Sequence, residues 1–446
     1  MSLYNHLYKT FLRLKDLKDG TGIFSHLGRI KREQFLPSDE IVKLQSDRLR
    51  NLLIQAQNHS PYYKSLFRKY KINITSSFDV SHLVRLPLLQ REHLQNNKDR
   101  ILCDNARNPV LNSSGGSTGH PVSFYQDDRY RIHSQVNNFL FLSWMGIRPG
   151  DKTAVFWGAD RDFKDLSRYD RLMFRINRVK QLNSFSMTEQ LIEQFLEEIN
   201  RFQPRYIYGY ASSLYLVARY ISQTRPLRFT PAAVRSSAEM LYDFQREEIE
   251  RAFQSRVYNF YGSREVNNIA AECSAHEGLH IFASTRIVEI VDDDGMPVLD
   301  GIPGNVVVTD LTNYAFPFIR YVTGDIATRK AAPCSCGRGY PLLEKIQGRS
   351  ADMIIINGKY IHGEFFTHLF YGRPEITQFQ LIQENERKLR LLIVSREKEP
   401  ILEDILEAIQ QKVGSGVSVE VELSDNIPPE PSGKHRFTIS RLRNAR

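Results

Sequence analysis

Between Lys152 and about Phe260, short apolar runs take turns with stretches that read as helices, and this alternation constrains the fold more than any other feature of the chain. The runs TAVFWG, PRYIYGY, AAVRSS and RVYNFYG have the length of buried strands, while Thr188 to Phe202 and Leu241 to Phe253 suit helices. Strands and helices in turn predict an α/β sheet covered by helices. Beyond Phe260 the pattern changes: RIVEIV and NVVVTDL, with Asp294-Gly295 as a turn, predict antiparallel strands and a smaller β-rich subdomain.

Upstream, Ile41, Leu44, Leu52, Leu53 and Ala56 predict an amphipathic helix from Asp39 to Ala56 that stops before His59-Ser60-Pro61. Downstream, KLRLLIVS, a helix from Ile401 to Val413 and VSVEVEL predict a separate small α+β unit with a polar tail, its boundary near Gly348 to Asp352. With 446 residues the chain is too long for one ordinary core, so two or three folding units are expected.

Hydrophobic residues make up 41% of the chain and charged residues 25%, the balance of a soluble globular protein. No apolar run is long enough for a membrane span, and the N-terminal segment, which mixes Lys and Arg with apolar residues, lacks a signal-peptide core. A cytoplasmic location is expected, with that segment as a helix packed on its own domain rather than on a membrane surface. The net charge of +9 is spread out, with no basic block and no aromatic-basic motif, so no nucleic-acid partner is expected. Four cysteines, two of them in Cys-Ser-Cys, do not make a disulfide framework.

The loop from Leu111 to Pro121, followed by the alternating VSFYQ, carries the densest chemistry. Ser113, Ser114, Gly115, Gly116, Ser117, Thr118 and Gly119 lead into His120-Pro121. Glycines let backbone N–H groups approach an anion, and hydroxyls add donors without bulk. Taken alone, such a loop suits either a polyphosphate or a plain surface position; it is not a P-loop, since no Gly-Lys-Ser/Thr follows.

Four further segments make the pattern specific. Tyr261-Gly262-Ser263-Arg264-Glu265, Arg320-Tyr321-Val322-Thr323-Gly324-Asp325, Gly348-Arg349-Ser350-Ala351-Asp352-Met353-Ile354 and Pro431-Ser432-Gly433-Lys434 follow the loop in that order. Together the five resemble the motifs of the adenylate-forming, acyl-CoA synthetase-like superfamily. Ser60-Pro61-Tyr62-Tyr63, Tyr208-Gly209-Tyr210 and Ser236-Ser237-Ala238-Glu239 resemble the branch of phenylacetate-CoA ligases and of related proteins from capsular polysaccharide loci.

The resemblance implies a large N-terminal adenylation domain, residues 1–348, that binds ATP and an acid, and a mobile α+β C-terminal domain, residues 349–446. It implies activation of a small-molecule carboxylic acid to an acyl-AMP, then transfer to coenzyme A. Glu265 would hold Mg²⁺ on the phosphates, Asp325 would accept from the ribose hydroxyls, and Tyr261, Gly262, Ser263, Ser237, Ala238 and Glu239 would line the nucleotide. Arg349 would meet phosphate or ribose, and Lys434 would bridge acid and phosphate. Trp157, Tyr208 and Tyr210 are candidate walls of the acid pocket.

Three positions depart from the pattern: Arg264 replaces a usual Ser or Thr, His120 stands where Lys often follows the loop, and Ala351 takes the place of the hinge Asp. They leave two other readings open. In one, the acyl group passes to an amine or hydroxyl in polysaccharide biosynthesis; in the other, the chain binds nucleotide without catalysis. Cys273, His280, Cys334 and Cys336, with His276 as substitute, could form a structural zinc site, against simple buried thiols. The sequence leaves the oligomeric state open, with a homodimer among the alternatives.

Overall fold

The computed structural model describes residues 3–114, 122–157, 167–182, 189–224, 226–349, 353–356, 359–362, 365–366, 369–370, 373, 375–428 and 436–442. Helices α1 (Leu3–Asp19), α2 (Ile23–Glu33), α3 (Ser38–His59), α4 (Pro61–Lys69) and α5 (Arg91–Ile101) come first. The long α3 contains the predicted helix and buries Ile41, Leu52, Leu53 and Ala56. Ser60 ends it and caps α4, accepting from Tyr63 N at 3.4 Å, with Pro61 in the first helical turn where its missing N–H costs nothing.

The hairpin β1 (Val110–Ser113) and β2 (Ser123–Gln126) leads into α6 (Asp128–Trp144). The predicted loop therefore starts later than its polar composition suggests, because Leu111 to Ser113 pair with Ser123 to Tyr125. Asp127 joins α6 to the rest: one carboxylate oxygen accepts from Tyr130 N at 2.7 Å and the other from the Tyr314 and Ala315 amides at 2.9 Å.

Next come β3 (Thr153–Phe156), α7 (Arg168–Ile176), β4 (Val179–Leu182), α8 (Glu189–Phe202), β5 (Tyr206–Tyr210), α9 (Ala211–Gln223), β6 (Ala233–Ser237), α10 (Asp243–Phe253) and β7 (Val257–Tyr261). The chain continues with β8 (Ala270–Glu272), β9 (Leu279–Ile281), β10 (Arg286–Val291), β11 (Pro303–Asp310), β12 (Tyr321–Lys330) and β13 (Leu342–Arg349). Among the described residues these strands form one 11-stranded sheet, ordered β10-β11-β12-β13-β9-β8-β7-β6-β5-β3-β4. From β4 to β7 neighbours run parallel, and from β7 to β10 antiparallel, so the β-rich stretch is hydrogen-bonded edge to edge onto the α/β part.

Period-two alternation sorts the central strands between two cores. Tyr206, Ala233 and Tyr258 pack with Phe141 and Trp144 of α6, whereas Ile207, Val234 and Val257 pack with residues of α8, α9 and α10. A second hairpin, β14 (Met353–Ile356) and β15 (Lys359–His362), precedes the C-terminal unit of β16 (Ile376–Asn385), β17 (Lys388–Ser395), α11 (Glu403–Val413), β18 (Ser418–Leu423) and β19 (Thr438–Ser440). Its sheet runs β18-β17-β16-β19 over its own core of Leu381, Leu391, Ile405 and Ile409.

At the N-terminus, α1 packs through Asn5 on Asp151 and Tyr8 on Asn177, while Leu3, Leu7, Leu14 and Leu17 stay exposed. No helix among the described residues is long and apolar enough to cross a membrane. The end of α2 is tied to distant parts of the chain. The Gln34 side-chain oxygen accepts from Trp144 Nε1 at 2.8 Å and Arg338 Nε at 2.9 Å, and its carbonyl accepts from Gly339 N at 2.8 Å. A Cβ at position 339 would fall 1.9 Å from the Leu36 carbonyl oxygen, so the approach requires glycine.

Candidate active site

The strand ends around β5, β6 and β7 open into a cleft of about 1690 Å³, whose lining includes Ser113, Ser114, Ser237, Tyr261, Glu265 and Asp325. The side that carries the Ser/Gly-rich loop is built on the first hairpin. Ser114 N donates to the Val122 carbonyl and Val122 N to Ser114 Oγ, both at 2.9 Å, which clamps the two ends of the loop together. Gly115, Gly116, Ser117, Thr118, Gly119 and His120 lie outside the described residues.

Arg91, at the first position of α5, joins two motifs that are far apart in sequence. Its Nη2 donates to Ser114 Oγ at 2.9 Å and its Nη1 lies 3.5 Å from Glu265 Oε1. Glu265 is only 6% exposed, so Arg91 supplies the positive charge that a buried carboxylate needs. Arg264, the sequence neighbour that could have paired with Glu265, is exposed and donates instead to the Ser113 carbonyl at 3.4 Å. Gln126 Nε2 donates to the Arg264 carbonyl at 3.2 Å, so the hairpin and the Glu265 turn brace each other. Within that turn Val266 N donates to Ser263 Oγ at 3.0 Å, and a Cβ on Gly262 would meet Asn268 N at 2.9 Å.

Across the cleft, Tyr261 Oη donates to Asp325 Oδ2 at 2.7 Å and lies 3.3 Å from Thr323 Oγ1. Asp325 sits opposite Arg349 in the β12–β13 register, which brings two predicted residues together at the backbone. At the end of β6, Ala238 adopts φ 68, a left-handed conformation that costs a non-glycine residue roughly 1–2 kcal/mol. That turn directs Glu239 to the start of α9, where its Oε2 accepts from Ser212 N at 2.8 Å. Lys434, Ser350, Ala351 and Asp352 lie outside the described residues; Arg436 and Phe437 of the C-terminal unit line the cleft.

Of the residues expected to face the acid, Trp157 stacks on Tyr210 at 4.2 Å between centroids, and Tyr208 stacks on Tyr206 at 5.5 Å. Sequence reasoning missed two cations here. Arg91 carries no local signal, since its partners come from other elements. Arg235 had one: it is a charge inside an apolar central-strand run, where an unpaired charge is costly.

A second cluster lies beyond β8. The ligand atoms of Cys273, His280, Cys334 and Cys336 all lie within 4.8 Å of one another. Cys273 Sγ and Cys334 Sγ are 3.7 Å apart, and a tetrahedral ion with bonds of about 2.3 Å separates its sulfurs by roughly that distance. His280 Nδ1 lies 3.0 Å from the Tyr340 carbonyl, which can only accept, so Nε2 keeps its lone pair toward Cys336 Sγ, 3.3 Å away. Burial pushes the His280 pKa down to about 4, the neutral form a metal ligand needs. His276, the substitute, lies outside the cluster, 3.3 Å from Glu272 Oε2 and tilted against the Tyr258 ring, 4.6 Å between centroids. The four side chains fit a closed tetrahedral metal shell.

Residues 353–441 match the family model described as the CapK C-terminal domain. Protein CapK of Staphylococcus aureus is 24% identical over 419 residues, covering 91% of this chain and 90% of its own length. The phenylacetate-coenzyme A ligase of Thermus thermophilus is 26% identical over 368 residues, 79% of this chain and 80% of the relative. The crystal structure of 2-hydroxyisobutyryl-CoA ligase in the postadenylation state shares the fold with a TM-score of 0.72 at 19% identity, over 93% of this chain and 92% of that one. In sequence the chain is similar to CapK and to phenylacetate-CoA ligases, and it shares its fold with an AMP-forming CoA ligase, as the motifs led one to expect.

Proposed function

We propose that the chain is an ATP-dependent, AMP-forming acid–thiol ligase that converts a small carboxylic acid to its coenzyme A thioester. The observation that carries this reading is the meeting of Ser114, Arg91 and Glu265 in the same cleft as the Tyr261–Asp325 pair. In the first step a carboxylate oxygen attacks the α-phosphorus of ATP and the bond to pyrophosphate breaks. In the second the thiol sulfur attacks the acyl carbon, its proton is lost and AMP leaves.

Both steps crowd negative charge, so the site needs fixed cations and donors. Arg91 and the Ser113–Gly119 loop supply them beside the phosphates. The buried Glu265 carboxylate suits Mg²⁺, a hard cation that takes oxygen ligands and would neutralise the phosphates. Asp325, held by Tyr261, accepts from the ribose hydroxyls; Ser237, Ala238 and Glu239 line the base. Lys434 comes from the C-terminal domain, residues 349–446, which turns on the N-terminal domain between the steps, and Arg349, the last residue of β13, stands at the boundary. The Cys273, His280, Cys334 and Cys336 cluster holds a structural zinc ion and takes no part in the chemistry.

The names of the relatives, CoA ligases among them, support coenzyme A as acceptor. The test is acid-dependent exchange of labelled pyrophosphate into ATP over a broad panel of acids. Lys434→Ala is expected to lower it on the order of 10²–10³-fold. Absence of exchange with every acid, in folded protein, overturns the reading. AMP release with amines in place of coenzyme A would move the second step to an amide-forming transfer.

A further inference from the structure

The wall of the cleft under α6 holds a cation with no counter-charge among the described residues. Arg235 lies in the middle of β6, opposite Tyr208 of β5 and Tyr258 of β7. Its guanidinium carbon sits 3.7 Å from the Phe260 ring centroid, 5.4 Å from Phe141 and 5.6 Å from Tyr208. Nε is buried without a hydrogen-bond partner, and among the described residues the side chain makes no ion pair. The Tyr206 hydroxyl, one strand away, is likewise buried; it lies beside the guanidinium without a hydrogen bond of normal geometry.

Aromatic faces stabilise a guanidinium but accept none of its in-plane N–H donors. A buried charged donor left unmade is among the costlier features a fold can keep, and an apolar side chain of similar volume would fit three rings equally well. A ligand that brings an acceptor resolves the conflict, and the planar fork of arginine matches a carboxylate with two parallel bonds. Arg235 and Ser237 share one strand face, two residues apart, so the fork lies about 7 Å deeper than the nucleotide end of the cleft.

We propose that Arg235, with Tyr206 beside it, sets the specificity of the acid pocket and selects dicarboxylates, whose second carboxylate lies about 7 Å from the one that is activated. This rests on the ligase reading above. A six-carbon chain or a para-substituted benzene ring spans that distance, so adipate and 4-carboxyphenylacetate are the probes, against hexanoate and phenylacetate.

Calorimetric titration of the full chain without ATP is expected to show each diacid binding about 10- to 100-fold tighter than its monoacid partner. The ratio falls towards one in Arg235→Leu and partly returns in Arg235→Lys, which keeps the charge and loses the fork. Equal binding of monoacids and diacids by the wild type overturns the proposal, as does a ratio unchanged in Arg235→Leu. If Arg235→Leu does not fold, the wild-type ratio and its reduction in Arg235→Lys decide. Pyrophosphate exchange separates the two readings. Tight diacid binding without exchange leaves the anion site standing and sinks the ligase; exchange with monoacids at least as fast as with diacids does the reverse.

Discussion

The sheet carries two sites within a few residues of each other, and they are built on opposite terms. Around β7 the chain ends its strands in turns that leave Glu265, Tyr261 and Asp325 lining open space. Between β8 and β13 it brings Cys273, His280, Cys334 and Cys336 onto one another, with three of the four buried. The first arrangement pairs its polar groups along an open wall that a ligand can still reach, and the second draws four ligand atoms together in a shell suited to a metal ion. Open sites do chemistry at some cost in stability, and closed ones return stability without chemistry.

The strongest test of that contrast is Glu265→Gln. It keeps the shape and the contact with Arg91 but removes a charge, so acid-dependent AMP release is expected to fall on the order of 10²–10³-fold while the melting temperature scarcely moves. A comparable loss of melting temperature would mean that Glu265 holds the fold. At the closed site the signs reverse. Metal removal by a chelator, or Cys334→Ser, is expected to cost about 3 kcal/mol of stability when metal had been a hundredfold above its Kd. Activity measured below the new melting point should then persist; a drop in rate without a drop in melting temperature would bring the metal into the chemistry.

The smallest effect concerns a buried group that belongs to neither site. Burial, with help from His26 and nearby arginines, pushes the His133 pKa down to about 3 from 6.5. The unfolded chain takes up a proton there as pH falls and the folded chain does not, so its contribution is complete above pH 6.5 and is lost progressively toward pH 3. His133→Leu should flatten the acid limb of the stability curve, by about 1 kcal/mol between pH 6.5 and roughly 5.5. An unchanged limb would show that His133 takes up its proton in the folded chain too.

Local signals explain how much of this was legible beforehand. The runs TAVFWG, PRYIYGY, AAVRSS and RVYNFYG became β3, β5, β6 and β7, because a buried strand announces itself by length and apolar content. Glu265 and Asp325 stand in short contiguous motifs and could be singled out one at a time. Arg91 could not, since Glu265 is 174 residues away and nothing near Arg91 hints at it. The sequence reading preferred His280 over His276, and the structure agrees: the β9–β13 pairing aligns His280 with Leu342 beside the Cys-Ser-Cys loop. The start of the phosphate loop was misjudged because Asn112 and Ser113 are polar yet sit in an exposed hairpin strand, where polarity carries no penalty.

Gln34 gives the molecule a timetable. Its side chain and carbonyl are satisfied by Trp144, Arg338 and Gly339, so during synthesis the second helix can settle on α6, but the bonds that fix its end wait until Arg338 and Gly339 have been made. That end is thus locked late, although the helix it closes is made long before. Substituting Gly339 would push the Leu36 carbonyl away and loosen the end of α2 in an otherwise complete protein, a defect read as a lower melting temperature.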